Sequence, residues 1–181
     1  MEEEKNYSGM KHTEAKFCLI VTGGSVDQGL LAAVYEGAYG YPVHPYVIGV
    51  DKGLEALEQS DIEPDLIIGD FDSANDGIRA KYVTSPDAVV RDRCIVLNPE
   101  KDFTDTHVAV LEAAKCGFTR VLLLGATGTR LDHTLGNLGL LYTCCQEGIC
   151  VEILDLHNRI SLIKEEKIVR AENLYGLYIS F

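Results

Sequence analysis

Basic residues are scarce in this sequence of 181 residues: 16 Lys and Arg stand against 28 Asp and Glu, a formal net charge of −12. That scarcity argues against non-specific attraction to nucleic acid or to an anionic membrane surface, both of which need basic patches. Any polyanionic ligand then requires a local cation. Secretory and membrane-spanning runs are missing too. The opening MEEEKNYSGMKHTEAK is acidic and polar, and no apolar run approaches the roughly 20 residues that cross a bilayer. A cytoplasmic chain with a disordered polar tail over 1–15 is expected. The six cysteines, Cys18, Cys94, Cys116, Cys144, Cys145 and Cys150, form no CxxC and no Cys/His ligand spacing. Several sit inside apolar runs, which predicts buried, reduced thiols. Neither GxGxxG nor GxxxxGK[ST] occurs, so the chain carries no dinucleotide fingerprint and no P-loop.

What is present is an alternation. At 46% hydrophobic the chain can fill one core, or one domain of ordinary size and a smaller one. Short continuous apolar runs, FCLIVT (17–22), YVIGV (46–50), PDLIIG (64–69), CIVLN (94–98), RVLLLGA (120–126) and CVEIL (150–154), read as strands buried on both faces. Helical patterns fall between them at 26–40, 52–60, 105–116 and 133–148, with a looser polar region at 73–93. The helix over 105–116 places Val108, Leu111 and Ala114 or the stem of Lys115 on its apolar face and Gly117 at its C-terminal cap; that over 133–148 places Leu135, Leu138, Leu141 or Tyr142, and Cys145. Such alternation implies an α/β layer structure with a parallel sheet over residues 16–154, and ligands bind beyond the carboxyl ends of such strands. From 155 to 181 the texture changes to short strand-like pieces around 159–163, 167–170 and 177–181, the opening of a β domain.

The strand-end rule directs attention to three motifs. IIGDFDS (67–73) puts Asp70 and Asp72 two residues apart after an apolar run. Together they can share a divalent cation, and hard oxygen ligands favour Mg²⁺; alternatively, one of them caps a helix after Ser73. KDFTDTHVA (101–109) places Lys101, Asp102, Thr104 and Asp105 at a helix entrance. Asp102 or Thr104 can cap that helix, while Asp105, if it faces the strand ends, completes the cation site. GATGTRLDHTLGN (125–137) brings small residues, a helix N-terminus and the guanidinium of Arg130 together, which suits a phosphate; Asp132 can equally serve as an N-cap. GGSVDQG (23–29) is a similar glycine turn. His107 and His133 read as solvent-facing or structural.

In that order, and after VDKGLEAL, the motifs GDFDS, KDFTDT and GATGTRLDHTLGNL together resemble the thiamine pyrophosphokinase family, from about residue 18 to the end. The resemblance implies a Rossmann-like, three-layer α/β domain with a parallel sheet, followed by the first strands of an incomplete β-sandwich. It also implies an ATP-dependent diphosphotransferase that moves pyrophosphate from ATP to the hydroxyl of thiamine, with Mg²⁺ and a homodimeric assembly where the second domain is complete. Carried onto this sequence, it makes Asp70, Asp72 and Asp105 the catalytic, metal-binding acids and Asp51 a further acid of the nucleotide site. Gly23, Gly24, Thr104, Thr127 and Arg130 become nucleotide contacts, and Asp132 lies where ATP and thiamine meet. Phosphoryl chemistry itself asks for cations at the phosphates, a task for Arg130 and Lys101. The family continues beyond the position of Phe181, so a fragment or a C-terminally truncated form is expected. The alternatives are a nucleotide-binding module without full activity and a metal-dependent phosphohydrolase.

Overall fold

Every residue of strand β1 (Phe17–Val21) is buried, because helices cover both sides of the sheet in which it lies. The computed structural model describes residues 16–72, 75–98, 103–128, 130–164, 175–176 and 179–180. After β1 come α1 (Gln28–Tyr35), β2 (Tyr46–Val50), α2 (Gly53–Gln59) and β3 (Leu66–Gly69). Then follow α3 (Asp76–Ile78), running into a π-helical turn at Arg79–Val83, α4 (Ala88–Asp92) and β4 (Cys94–Val96). The last elements are α5 (Asp105–Lys115), β5 (Arg120–Leu124), α6 (Leu131–Gln146), β6 (Cys150–Leu154) and β7 (Arg159–Ser161).

The seven strands form one sheet in the order β4-β3-β2-β1-β5-β6-β7. All neighbours pair in parallel except β7, which runs antiparallel on β6. Alternate side chains leave opposite faces of each strand, so one face sends Leu19, Val21, Ile67 and Leu122 against Leu31 and Val34 of α1 and Leu54 and Leu57 of α2. The other sends Cys18, Ile20, Ile48 and Leu123 against α5 and α6. Three layers result, as expected for a doubly covered parallel sheet. Because β2, β3 and β4 extend to one side of β1 and β5 to the other, the connections leaving β1 and β5 diverge. A crevice opens there beyond the strand ends.

Several expectations change in detail. The polar region at 73–93 contains helical turns, begun by Asn75, whose side-chain oxygen accepts from Ile78 N at 2.9 Å, and by Asp87, which accepts from Val89 N at 2.9 Å. α6 turns a different face to the sheet from the one its leucines suggest. Asn137, Leu140, Leu141 and Cys144 are buried while Leu135, Leu138 and Tyr142 are exposed. A hydrogen bond sets that rotation: the Asn137 side-chain amide donates to Ala126 O at 2.8 Å. On α5 the fully buried positions are Ala109, Val110 and Ala113, with Val108 and Ala114 partly packed beside them. The thiols of Cys18 and Cys144 are buried, whereas Cys116 and Cys150 are exposed, and all six cysteines are free.

At the boundary expected near 155, Asp155 Oδ1 accepts from His157 N and Asn158 N, both at 2.8 Å, and this turn leads β7 back onto β6. Residues 159–161 therefore extend the α/β sheet. The pieces anticipated at 167–170 and most of 177–181 lie outside the described residues, as does the 1–15 tail. Among the described residues no helix is long and apolar enough to cross a membrane.

Candidate active site

β2 and β3 are neighbours in register, with Val50 opposite Ile68, so the residues that follow them emerge side by side. Asp51 leaves β2 with its N–H bonded to Ile68 O at 3.1 Å, and Asp70 leaves β3 immediately after Gly69. Thr104 caps α5 by accepting from His107 N at 3.2 Å, which sets Asp105 in the first turn of a helix packed over this part of the sheet. The carboxylates converge. Burial first, then the hydrogen bond and charge of Asp105 and the charge of Asp70, push the Asp51 carboxyl up to about 7, with Phe71 N–H acting the other way. Asp51 Oδ1 is buried and has no hydrogen-bond partner among the described residues.

Gly69 explains how that oxygen fits. A Cβ at this position would lie 2.0 Å from Asp51 Oδ1, so only glycine admits the carboxylate. Asp51 and Phe71 both hold left-handed backbone, φ 46° and 56°, at a cost of about 1–2 kcal/mol each. For Phe71 burial offsets that cost: its ring is 1% exposed in the core, an anchor that leaves Asp70 and Asp72 at the rim on either side. β3 has already ended, so a turn rather than a strand face relates this pair. Asp72 N–H donates to Asp70 Oδ1 at 3.1 Å, and Arg79 Nη1 closes the turn by donating to Phe71 O at 2.8 Å.

At the crevice, the turn after β1 crosses the turn after β5 at very short range. Gly24 N–H donates to Gly125 O at 3.0 Å, and a Cβ on Gly24 would lie 2.1 Å from that oxygen. Gly23 abuts Lys52, whose Cβ would be 3.4 Å from a Cβ placed there. The glycine crossing thus borders the residue next to Asp51. Thr127 lies beyond it, its hydroxyl donating to Asp155 Oδ2 at 2.8 Å.

Arg130 and Asp132 behave differently. Arg130 occupies the N-cap position of α6, so the N-cap role considered for Asp132 does not hold; Asp132 lies in the first turn. The two pair with each other, Nη2 to Oδ2 at 2.6 Å and Nε to Oδ1 at 3.3 Å, with side chains 66% and 64% exposed. The guanidinium holds the Asp132 carboxyl below its usual range. His133 is exposed, and His107 packs edge-on against the Phe103 ring at 4.5 Å. Lys101 and Asp102 lie outside the described residues.

Reading the sequence overlooked Gly69, Arg79 and Lys52. Lys52, an exposed cation directly after Asp51 in VDKG, had a visible signal in that adjacency. Gly69 and Arg79 had none, because each acts on a residue that only folding brings near.

Among the described residues no three His, Cys, Asp or Glu side chains are arranged to hold a metal ion by themselves. What converges is hard carboxylate oxygen, including the unpartnered Oδ1 of Asp51. That donor set fits Mg²⁺, which is commonly bound by one or two carboxylates and completes its shell with waters and substrate phosphates.

Residues 42–153 match the sequence profile described as thiamin pyrophosphokinase, catalytic domain. Over 140 residues the chain is 35% identical to the thiamine pyrophosphokinase of Bacillus subtilis (strain 168), an alignment that covers 76% of this chain and 62% of the relative. The crystal structure of the Bacillus subtilis thiamine pyrophosphokinase superposes with a TM-score of 0.64 at 30% identity, covering 81% of this chain and 63% of that one. Its counterpart from Geobacillus thermodenitrificans gives 0.61 at 29%, covering 80% and 62%. The chain therefore spans less than two thirds of the length of these relatives. With the profile spanning the glycine-supported acid cluster and the turn after β5 that borders the crevice, this chain belongs to the thiamin pyrophosphokinase family.

Proposed function

We propose that this chain carries the nucleotide-binding and catalytic part of a thiamine pyrophosphokinase, transferring pyrophosphate from ATP to the thiamine hydroxyl and releasing AMP. The observation that carries the reading is the convergence of Asp51 and Asp70, at adjacent strand ends, with Asp105 of the first turn of α5, beside the crossing of the glycine turns after β1 and β5. Asp70, Asp72 and Asp105 would hold Mg²⁺, which when bound neutralises phosphate oxygens and orients the reacting phosphoryl group. The chain's own residues supply placement. Gly23 and Gly24 let the turns after β1 and β5 cross at the edge of the nucleotide site, Lys52 offers positive charge, Arg130 can add its own only by parting from Asp132, and Phe71 holds the acid turn in position. In the reaction an oxygen–phosphorus bond forms between the thiamine hydroxyl and the β-phosphorus. The bond from that phosphorus to the α-phosphate oxygen breaks, and the hydroxyl proton leaves to a base or to water.

In this reading the catalytic α/β domain expected over 16–154 runs on through β7 at Arg159–Ser161, and the β-sandwich opens after it. The protein acts in the cytoplasm, as a homodimer where the second domain is complete, with no nucleic-acid or membrane partner. Thiamine-dependent AMP release, measured by a coupled assay with Mg²⁺ present, is the test. Asp72→Asn is expected to lower the rate at least about 100-fold, consistent with loss of electrostatic stabilisation. An Asp72→Asn rate equal to wild type would remove the metal-site assignment. A second reading is a nucleotide-binding module without transfer activity. Mg²⁺-dependent ATP binding with no thiamine-dependent AMP release would select it.

A further inference from the structure

Ile78 and Tyr82 are both fully buried, in the core cluster that also holds the ring of Phe71. They pin α3 and the π-helical turn at Arg79–Val83 beside the acid turn. The π-helical turn closes where Thr84 N–H donates to Arg79 O at 2.9 Å, with the Thr84 hydroxyl on the same oxygen at 3.3 Å. Such turns are rare and recur at functional sites. Arg79, held at its start, reaches back to Phe71 O with Nη1 at 2.8 Å. At the head of α3, Asn75 Nδ2 donates to Glu55 Oε1 at 3.1 Å, in the first turn of the helix that follows Asp51. One short segment thus bonds to both of the loops that carry strand-end acids.

The atom that Arg79 engages is a backbone carbonyl, whereas Arg130 pairs with a carboxylate. Among the described residues its guanidinium bonds no oxygen of Asp70 or Asp72, and it fixes the carbonyl that lies between them in sequence. Phe71 has left-handed backbone, φ 56°, which a non-glycine residue keeps only when its surroundings impose it. Core packing imposes it on the ring, and Arg79 imposes it on the carbonyl. Arg79 therefore has two opposed effects on cation binding at the turn. Its positive charge repels a cation, while its hydrogen bond preserves the arrangement of the two acids.

We propose that Arg79 is a positioning residue for the acid turn, and that its bond to Phe71 O favours a divalent cation at Asp70 and Asp72 more than its charge opposes one. The proposal rests on reading the acid cluster as the Mg²⁺ and ATP site. ATP binding to the 181-residue chain is to be followed calorimetrically over a series of Mg²⁺ concentrations, with urea unfolding midpoints measured in EDTA alongside. Arg79 is exposed, so Arg79→Met opens no cavity in the core; it keeps the aliphatic stem and removes donor and charge together. It should raise the Mg²⁺ concentration for half-maximal ATP binding about tenfold, the loss of one hydrogen bond from a charged donor. ATP affinity at saturating Mg²⁺ should stay within about twofold of wild type, because the turn is then held by the cation. Arg79→Lys restores the charge and a less directional donor, and should shift the Mg²⁺ response only about threefold. A tighter Mg²⁺ response in Arg79→Met would mean that charge dominates. An unchanged response, whatever the unfolding midpoint, would mean that the residue is at most structural. Either result overturns the proposal while the acid-cluster reading stands, and if the wild-type chain binds no ATP with Mg²⁺, both fall.

Discussion

Two acidic motifs, one at the ends of β2 and β3 and one at the start of α6, have similar composition and opposite physical behaviour. Asp51 is half-buried against Gly69, shares its surroundings with Asp70 and Asp105, and is pushed up to about 7. Asp132 stands in solvent with Arg130 and is held below its usual range by that guanidinium. In the first region like charges are forced together in a low-dielectric corner, an arrangement that a cation relieves. In the second, opposite charges satisfy each other in water, where such pairs contribute little. A ligand at the first site would supply what the protein lacks, whereas at the second it must first compete with an existing ion pair.

Replacing the buried anchor should break this contrast most severely. Phe71→Ala removes a ring that is 1% exposed and is expected to cost about 3–5 kcal/mol in urea unfolding, while releasing the turn that carries Asp70 and Asp72. Gly69→Ala should follow at about 1–3 kcal/mol, because its Cβ would have to displace the Asp51 carboxylate 2.0 Å away. Unfolding midpoints, together with loss of Mg²⁺-dependent nucleotide binding, measure both.

A smaller effect sharpens the comparison through pH. For a carboxyl whose folded pKa is raised, the stabilising contribution is complete below the unfolded value, near 3.8, and is lost as pH rises through about 7. Without divalent cations the wild-type chain should therefore lose about 1–2 kcal/mol between those limits, allowing for solvent screening of a half-exposed group, and Asp51→Asn should lose less. Equal pH slopes for the two proteins would show that Asp51 carries no such linkage. Smallest of all, Arg130→Ala and Asp132→Asn should leave the unfolding midpoint unchanged within error. A clear midpoint shift would mean that the exposed pair is structural after all.

The strand-end acids were legible because each follows a continuous apolar run, and such runs end where a parallel sheet opens to solvent. The strands themselves were legible for the same reason. The buried face of α6 was not. Leu131, Leu135, Leu138, Leu140, Leu141 and Tyr142 leave no clean apolar stripe, and the deciding residue is polar Asn137, whose acceptor Ala126 belongs to another element. The helical turns at 76–83 and 88–92 are too short to show periodicity, although Asn75 and Asp87 had the chemistry of caps.

Read alone, the order of residues determined the alternation of strands and helices, the α/β class, and the set of acids, glycines and cations placed at strand ends. Those features follow from local hydrophobic pattern and turn chemistry. Only the tertiary structure decided which acids share a field, that Gly69 makes room for Asp51, and that Arg130 spends its charge on Asp132. Each of those outcomes depends on which strands lie side by side and how deeply their ends are covered, and hence on distances and dielectric set by the packed sheet rather than by any short stretch of chain.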